Sequence, residues 1–509
     1  MRGLTERRER ELADRLSAFK ASLTEEEIDR IVAQTRELRA FQEQEDSPED
    51  LAKIPLLKRE DIRREVEPVI LEERKIGEIP VLYHRIPTNG ISYFRLLFDC
   101  GRVPDALFPY IGILKAVIGL VDTEHYSYRE LYTETDLLTG GLTPVTNIYT
   151  DARDLSKRKI TFELKGKAFH KNLPDAMRLA QEMLLKSDFT DTKRLAEILA
   201  ELKSRMQSSL IGAGHTVASG RAMSYFSETA ALQEVLGGMD FYRLVERLIG
   251  NWEQEKQTLP GRLQALVQAF FCRENLMFDF IAQEDGQYEL FADRAERFFR
   301  ELYFAPAKAE PFRVKPEKKN EGFMSASQVQ YVCRAGNFVQ KGLNYTGALR
   351  ILKGIFNNDY LWNNVRVKGG AYGCMSNFNR IGDAYLISYR DPNLERTMEV
   401  YEGVVDYLKN FNVSDRDMNK FIIGTMSSLD RPMNPAAKGA RSMNLYMNRV
   451  SEEMLRSERG QILDAQQEDI RALADVVKAM LDQKLLCVIG SEEKIEEQRD
   501  MFLEVRTLS

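Results

Sequence analysis

Apolar and polar positions change their period along this chain, and the changes mark out its elements. Over residues 1 to about 70, apolar side chains recur at helical spacing amid dense charge. Leu12, Leu16 and Phe19 fall on one helical face, and Ile28, Ile31, Val32 and Leu38 line a second. Thr24 with Glu27 three residues on forms a capping box, in which hydroxyl and carboxylate each satisfy a free backbone N–H. Ser47-Pro48 opens a short third helix that Pro55 closes. The pattern predicts an antiparallel helical hairpin over 1–72, too thin to hold a core alone.

From Ile79 the period falls to two. Pro80–Tyr83 and Ser92–Phe98 read as strands around the turn Thr88-Asn89-Gly90. Helices over roughly 106–121 and 127–138, strands near 143–149 and 158–166, and a long helical run from about 171 to 270 follow. A strand at 275–281 and a helix near 288–304 complete the unit. Pro306, Pro311 and Pro316, with Lys315, Lys318 and Lys319, make a linker. The pattern then restarts, with strands near 327–333, 371–378 and 385–390 and helices near 344–357, 394–409, 415–428 and 465–482. A strand at 485–489 and a terminal helix close it. Two rounds of about 200 residues, each strands then helices then a strand, predict a repeated α+β domain over 73–308 and 309–509.

Composition adds exclusions. A chain of 509 residues exceeds one core, and 43% hydrophobic with 29% charged residues is ordinary globular usage. A net charge of −6, spread along the chain, gives no basic footprint for nucleic acid. The start carries no apolar signal-peptide core, and no apolar run approaches a membrane span. Five dispersed cysteines, with no CxxC pair, read as reduced, packed thiols. Together these predict a soluble, cytoplasmic chain with no nucleic-acid or membrane partner.

The four histidines, His84, His125, His170 and His215, do not suit a helical zinc site, which needs two imidazoles one turn apart. Glu124-His125 copies the end of an inverted His-x-x-Glu-His motif, but Val121 stands where its first histidine belongs. Gly212-Ala213-Gly214 and Gly237-Gly238 read as helix caps, and Met443 and Met447 as core positions at helical spacing. One stretch stands apart, Leu361 to Gly373, in which Arg366 and Tyr372 flank Gly369-Gly370. Both side chains are donors suited to a carbonyl oxygen gaining negative charge. From the residues alone, an oxyanion site and a tight turn with an incidental tyrosine are equally good readings.

The Arg-x-Lys-Gly-Gly-Ala-Tyr-Gly stretch resembles the second-half signature of the pitrilysin/insulinase superfamily of zinc metallopeptidases, and its spacing resembles the presequence protease and falcilysin branch. Ser388–Asn393, Thr88–Ile91 and Tyr126–Tyr128 leading to Thr139-Gly140-Gly141 match that branch, and the hairpin with Ala52–Pro55 resembles the connector between its two halves. The resemblance implies two homologous α+β domains, each a mixed or antiparallel sheet with helices on one face, preceded by the hairpin. It implies that catalytic Arg366 and Tyr372 reach a zinc site on an N-terminal half, on the same polypeptide or a separate subunit. Gly369, Gly370, Ala371 and, more weakly, Arg390 would meet an unfolded peptide. An ion pair of Arg390 with Asp391 bracing the sheet is the competing reading. This chain begins at the connector, so no zinc is expected in it, and Tyr110–Ala116, where a zinc helix would fall, holds no histidine and no acid. The alternative is a non-catalytic peptide-binding or scaffold subunit, which has no use for the Arg366 and Tyr372 pair.

Overall fold

A computed structural model describes residues 2–44, 47–55, 57–101, 103–304 and 312–508. The chain divides into two compact units, Met1–Lys58 and Arg59–Ser509. The first holds helices Arg2–Ala21, Glu25–Glu43 and Pro48–Lys53. Its capping box forms as expected: Thr24 Oγ1 accepts from the Glu27 N–H at 3.3 Å, and the Glu27 carboxylate accepts from the Thr24 N–H at 2.9 Å. Leu12, Leu16, Phe19, Leu38 and Phe41 are exposed, so this unit has no core among them.

The second unit contains two six-stranded sheets. Strands β1 (Glu72–Ile76), β2 (Ile79–Arg85), β3 (Ile91–Asp99), β4 (Leu142–Thr150), β5 (Arg158–Phe169) and β6 (Leu276–Ala282) stand in the order β1-β2-β6-β3-β5-β4. Strands β7 (Glu321–Ser325), β8 (Tyr331–Asn337), β9 (Gly373–Phe378), β10 (Asp383–Tyr389), β11 (Leu485–Ser491) and β12 (Glu504–Thr507) stand in the order β12-β7-β11-β8-β10-β9. Leaving out the outermost β1 and β12, the order and the senses are the same in both. Within these five-strand sets β2 pairs in parallel with β6 and β7 with β11, and the other pairings are antiparallel; of the outermost strands, β1 pairs antiparallel with β2 and β12 in parallel with β7. The α+β repeat read from the sequence is therefore a repeat of topology. Between β2 and β3, which β6 separates in the sheet, Asn89 at φ +52° and Gly90 at φ +81° form a tight left-handed turn closed by the Ile91 N–H on the Thr88 carbonyl at 3.3 Å.

Each repeat lends helices to the other's sheet. Helix Gly214–Ser224, from the first repeat, lays Ala218 and Ala222 on Tyr331, Cys333, Ile387 and Cys487 of the second sheet. Helix Pro435–Met447, from the second repeat, puts Met443 against Leu82, Leu97 and Met277 of the first. Glycines permit both approaches. A methyl on Gly214 would stand 2.3 Å from the Tyr331 ring, and one on Gly439 2.3 Å from the Ile281 side chain. Beside the first contact lies a buried ionic cluster. Arg221 donates to Glu321 at 2.5 and 3.0 Å, to Glu234 at 3.1 Å and to Asp240 at 2.8 Å, and the Tyr225 hydroxyl donates to Glu321 at 2.9 Å. Burial pushes the Glu321 carboxyl up, but bonds and charge from Arg221 outweigh it and hold the group below its usual range.

Some boundaries differ from the sequence reading. The second repeat opens with β7, ahead of the strand read near 327–333, because Glu321 and Gly322 lack the apolar alternation that marks a strand. Strands β1 and β12 and helices Pro435–Met447 and Glu452–Leu463 were not expected from the pattern; β1 reads Glu-Glu-Arg-Lys-Ile, polar at nearly every position. Pro306 and Pro311 of the expected linker lie outside the described residues, while Lys315 to Lys319 run without regular structure. All five cysteines are buried and free, Met443 is core as expected, and no helix among the described residues is long and apolar enough to cross a membrane.

Candidate functional site

The stretch from Leu361 to Gly373 is not a flexible turn. Helix Ala348–Ile355 runs on into two π-helical segments, Phe356–Tyr360 and Trp362–Val367, so the chain stays helical up to the two glycines. Asparagine side chains support the widened coil: Asn363 donates to the Asp359 carboxylate at 2.9 Å and Asn364 to the Tyr360 carbonyl at 2.8 Å. The end closes by a reciprocal pair of bonds, Gly370 N–H to Arg366 C=O at 2.8 Å and Ala371 N–H to Val365 C=O at 3.2 Å. This is a Schellman-type cap one residue wider than the α-helical form. Gly370 sits at φ +80°, and a methyl on Gly369 would lie 2.4 Å from the Val365 carbonyl oxygen. Both glycines serve the closure.

Out of that cap the chain enters β9. The Tyr372 N–H donates to the Tyr389 carbonyl at 3.0 Å, while the Tyr372 side chain is 70% exposed and its hydroxyl has no hydrogen-bond partner among the described residues. Arg366 is exposed too, with its guanidinium 3.9 Å from the Trp362 ring centroid and no carboxylate partner among the described residues. The two expected donors thus stand on one rigid helix-to-strand corner, facing outward and unspent.

The segment Ser388–Asn393 braces this corner. Asp391 is fully buried and accepts from Thr397 Oγ1 at 2.6 Å and the Asn393 N–H at 2.9 Å. Asn393 in turn donates from its side chain to the Gly369 carbonyl at 2.6 Å. Burial pushes the Asp391 carboxyl up from its ordinary range. The expected alternative of an Arg390–Asp391 ion pair is corrected: Asp391 spends its oxygens on this local network. Arg390, at φ +47°, turns outward, with its guanidinium 6.0 Å from the Tyr372 ring centroid and 5.7 Å from that of Tyr389. Ala371 was expected beside a substrate, but its methyl is 4% exposed and belongs to the core, which leaves it only backbone to offer.

Sequence reasoning gave Trp362, Asn393 and His215 no place at this corner. Trp362 stands one helical turn before Arg366, a spacing legible once the segment is known to be helical. His215, edge-on to Tyr389 at 4.9 Å, comes from the other repeat and left no sequence signal.

His84 does not fit a metal. His84 Nδ1 meets the Ile70 carbonyl at 2.6 Å and Nε2 the Asp279 carboxylate at 2.7 Å, so both ring nitrogens face acceptors and no lone pair is free. His125 Nδ1 sits on Glu182 at 3.1 Å, and His170 Nδ1 lies 3.4 Å from Ser92 Oγ. Among the described residues no three histidine, cysteine, aspartate or glutamate side chains converge.

Comparisons with known proteins take in nearly the whole chain. A family model for the region associated with peptidase family M16, subfamily C, matches residues 1–248, and one described as "PreP C-terminal domain" matches residues 320–492. Protein HypA of Clostridium perfringens is 32% identical over 507 residues, covering 100% of this chain and 52% of that protein. Presequence protease 1, chloroplastic/mitochondrial, of Arabidopsis thaliana is 27% identical, covering 96% of this chain and 46% of that protein. The chain thus spans about half the length of the curated relatives it matches. Among solved structures, a peptidase M16 inactive domain from Pseudomonas fluorescens superposes with a TM-score of 0.57 at 15% identity, covering 82% of this chain and 97% of that one. A conserved protein from Enterococcus faecalis does so with a TM-score of 0.58 at 13% identity, covering 83% and 99%. At these identities the two structures speak for the fold.

Proposed function

Because this chain belongs to the M16 peptidases, as the C-terminal half of a presequence protease-like member, we propose that it lends Arg366 and Tyr372 to a zinc site on an N-terminal half. That half is either part of the same polypeptide or a separate subunit, and together the two would hydrolyse short unstructured peptides. One observation carries the reading: a guanidinium and a phenol, both exposed and without polar partners among the described residues, stand on a corner fixed by a glycine cap and a buried aspartate.

The chemistry asked of them is modest and specific. A peptide carbonyl under attack gains negative charge on oxygen, and the Tyr372 hydroxyl is free to donate to it. Arg366, steadied by Trp362, holds a substrate carbonyl or orients the phenol. A donor preorganised on a rigid corner stabilises the transition state without reorganising, and losing one costs about 3–4 kcal/mol, roughly 10²–10³ in rate. Zinc supplies the Lewis acid in this family, and its ligands would come from the other half, since no three possible ligand side chains converge among the described residues.

The test is to mix this chain with a His-x-x-Glu-His half and follow cleavage of a quenched fluorescent peptide. The mixture is expected to cut, this chain alone is not, and Tyr372→Phe should remove most of the rate. Full activity of Tyr372→Phe sinks the oxyanion role and favours the scaffold alternative. One tight zinc per chain by elemental analysis of this chain alone would overturn the division of labour.

A further inference from the structure

A second site lies in the first repeat, in a cavity of about 550 Å³. Its walls come from helices Ile111–Val117, Thr192–Gly212, Gly214–Ser224 and Glu228–Gly237 and from the outermost strand β4. Two charged groups line it. Lys115 is half-buried and has neither ion pair nor hydrogen bond among the described residues. Its ammonium lies 3.7 Å from where a methyl on Gly237 would sit. A sheltered ammonium without a counter-ion costs stability, so its retention asks for an anion from outside.

The second group is Glu234. Its Oε2 is spent, accepting from Arg221 at 3.1 Å and from the Met239 N–H at 3.0 Å. Its Oε1 accepts no hydrogen bond among the described residues and packs against two glycines: a methyl on Gly238 would collide with it at 2.2 Å and one on Gly220 would touch it at 3.8 Å. Both groups line the same cavity and form no ion pair with each other. The lining also includes polar Asn147 and Gln233 and apolar Met206 and Leu210.

We propose that this cavity binds a small zwitterion, a free amino acid or dipeptide with an apolar side chain. Lys115 takes the carboxylate, Glu234 Oε1 takes the ammonium, and Met206 and Leu210 take the side chain. The volume lies within the range of small-molecule pockets. An anion such as phosphate satisfies Lys115 but is repelled by Glu234, whereas a zwitterion satisfies both. Peptide hydrolysis is the class of reaction that yields such molecules, yet the site does not depend on the role given to Arg366 and Tyr372, because binding is read without cleavage.

The experiment is calorimetric titration of the whole chain with leucine, leucyl-leucine, leucinamide (no carboxylate), 4-methylpentanoate (no ammonium) and inorganic phosphate. Leucine or leucyl-leucine is expected to bind one per chain, with leucinamide and 4-methylpentanoate each at least tenfold weaker. Lys115→Met should abolish binding and leave Tm equal or higher, since it removes an unpaired charge. The proposal is overturned if leucinamide binds as well as leucine, if phosphate binds more tightly than either zwitterion, or if neither zwitterion binds at about 10 mM. Should Lys115→Met fail to fold, the ligand series on the unaltered chain still decides.

Discussion

At Gly370 the backbone sits at φ +80° and closes the widened helix that carries Arg366. An alanine there must adopt the left-handed region, at about 1–2 kcal/mol. Gly370→Ala is therefore expected to lower stability by that amount in urea unfolding, and to loosen the corner under Tyr372. Trp362 acts differently. Its ring lies 3.9 Å from the Arg366 guanidinium, and an exposed contact of this kind is worth about 0.5–1 kcal/mol. Trp362→Ala should leave the fold intact and lower kcat/KM of the reassembled peptidase by about two- to fivefold. An unchanged kcat/KM would show that the ring does not position the guanidinium. Burial pushes the Asp383 carboxyl up to about 6 from its usual 3.8. Between those values the folded chain holds a proton that the unfolded chain has released, so stability falls as pH rises through the window. Asp383→Asn, which has no such proton to lose, should show a shallower fall over the same range when unfolding is followed against pH.

For the elements, the informative contrast is between two helical glycines. Gly214 opens the helix that lies on the second sheet, and a methyl there would meet the Tyr331 ring at 2.3 Å. Overpacking of this kind costs about 1–3 kcal/mol. Gly424, in the middle of helix Asp415–Leu429, has nothing within 4 Å of the same added methyl. Gly424→Ala should stabilise by about 0.8–1 kcal/mol from helix propensity alone. Opposite signs for the two substitutions, measured by denaturant midpoint, would show that close approach rather than glycine content governs Gly214. The capping box at Thr24 was legible because both partners lie within one turn of sequence. The π-helical run to Val367 was not, because nothing in Trp-Asn-Asn-Val-Arg-Val distinguishes a wide helix from a turn.

At the scale of the molecule, the buried Arg221 cluster ties helices of the first repeat to β7 of the second. Removing one partner of a buried pair leaves the other charge stranded, typically at about 3–5 kcal/mol. Arg221→Met should destabilise both repeats together, seen as a single earlier unfolding transition. Glu321, held below its usual range by Arg221, contributes stability that is full above its unfolded value and is lost as pH falls through the lowered one. Arg221→Met should accordingly flatten the acid limb of the stability curve. Alternation and helical spacing were enough to place β2 to β6, β9 to β11 and the α+β repeat, since a strand or helix that buries one face must write that face into its own residues. The motif likewise pointed to the corner that carries Arg366 and Tyr372, because its glycines lie close by in sequence. What folding in three dimensions added was the company each residue keeps. Asn393 under Gly369, His215 beside Tyr389, Lys115 and Glu234 on one cavity, and each repeat's helix on the other's sheet join residues far apart in the chain. Local pattern carries no record of such meetings, because they are fixed by how whole layers pack.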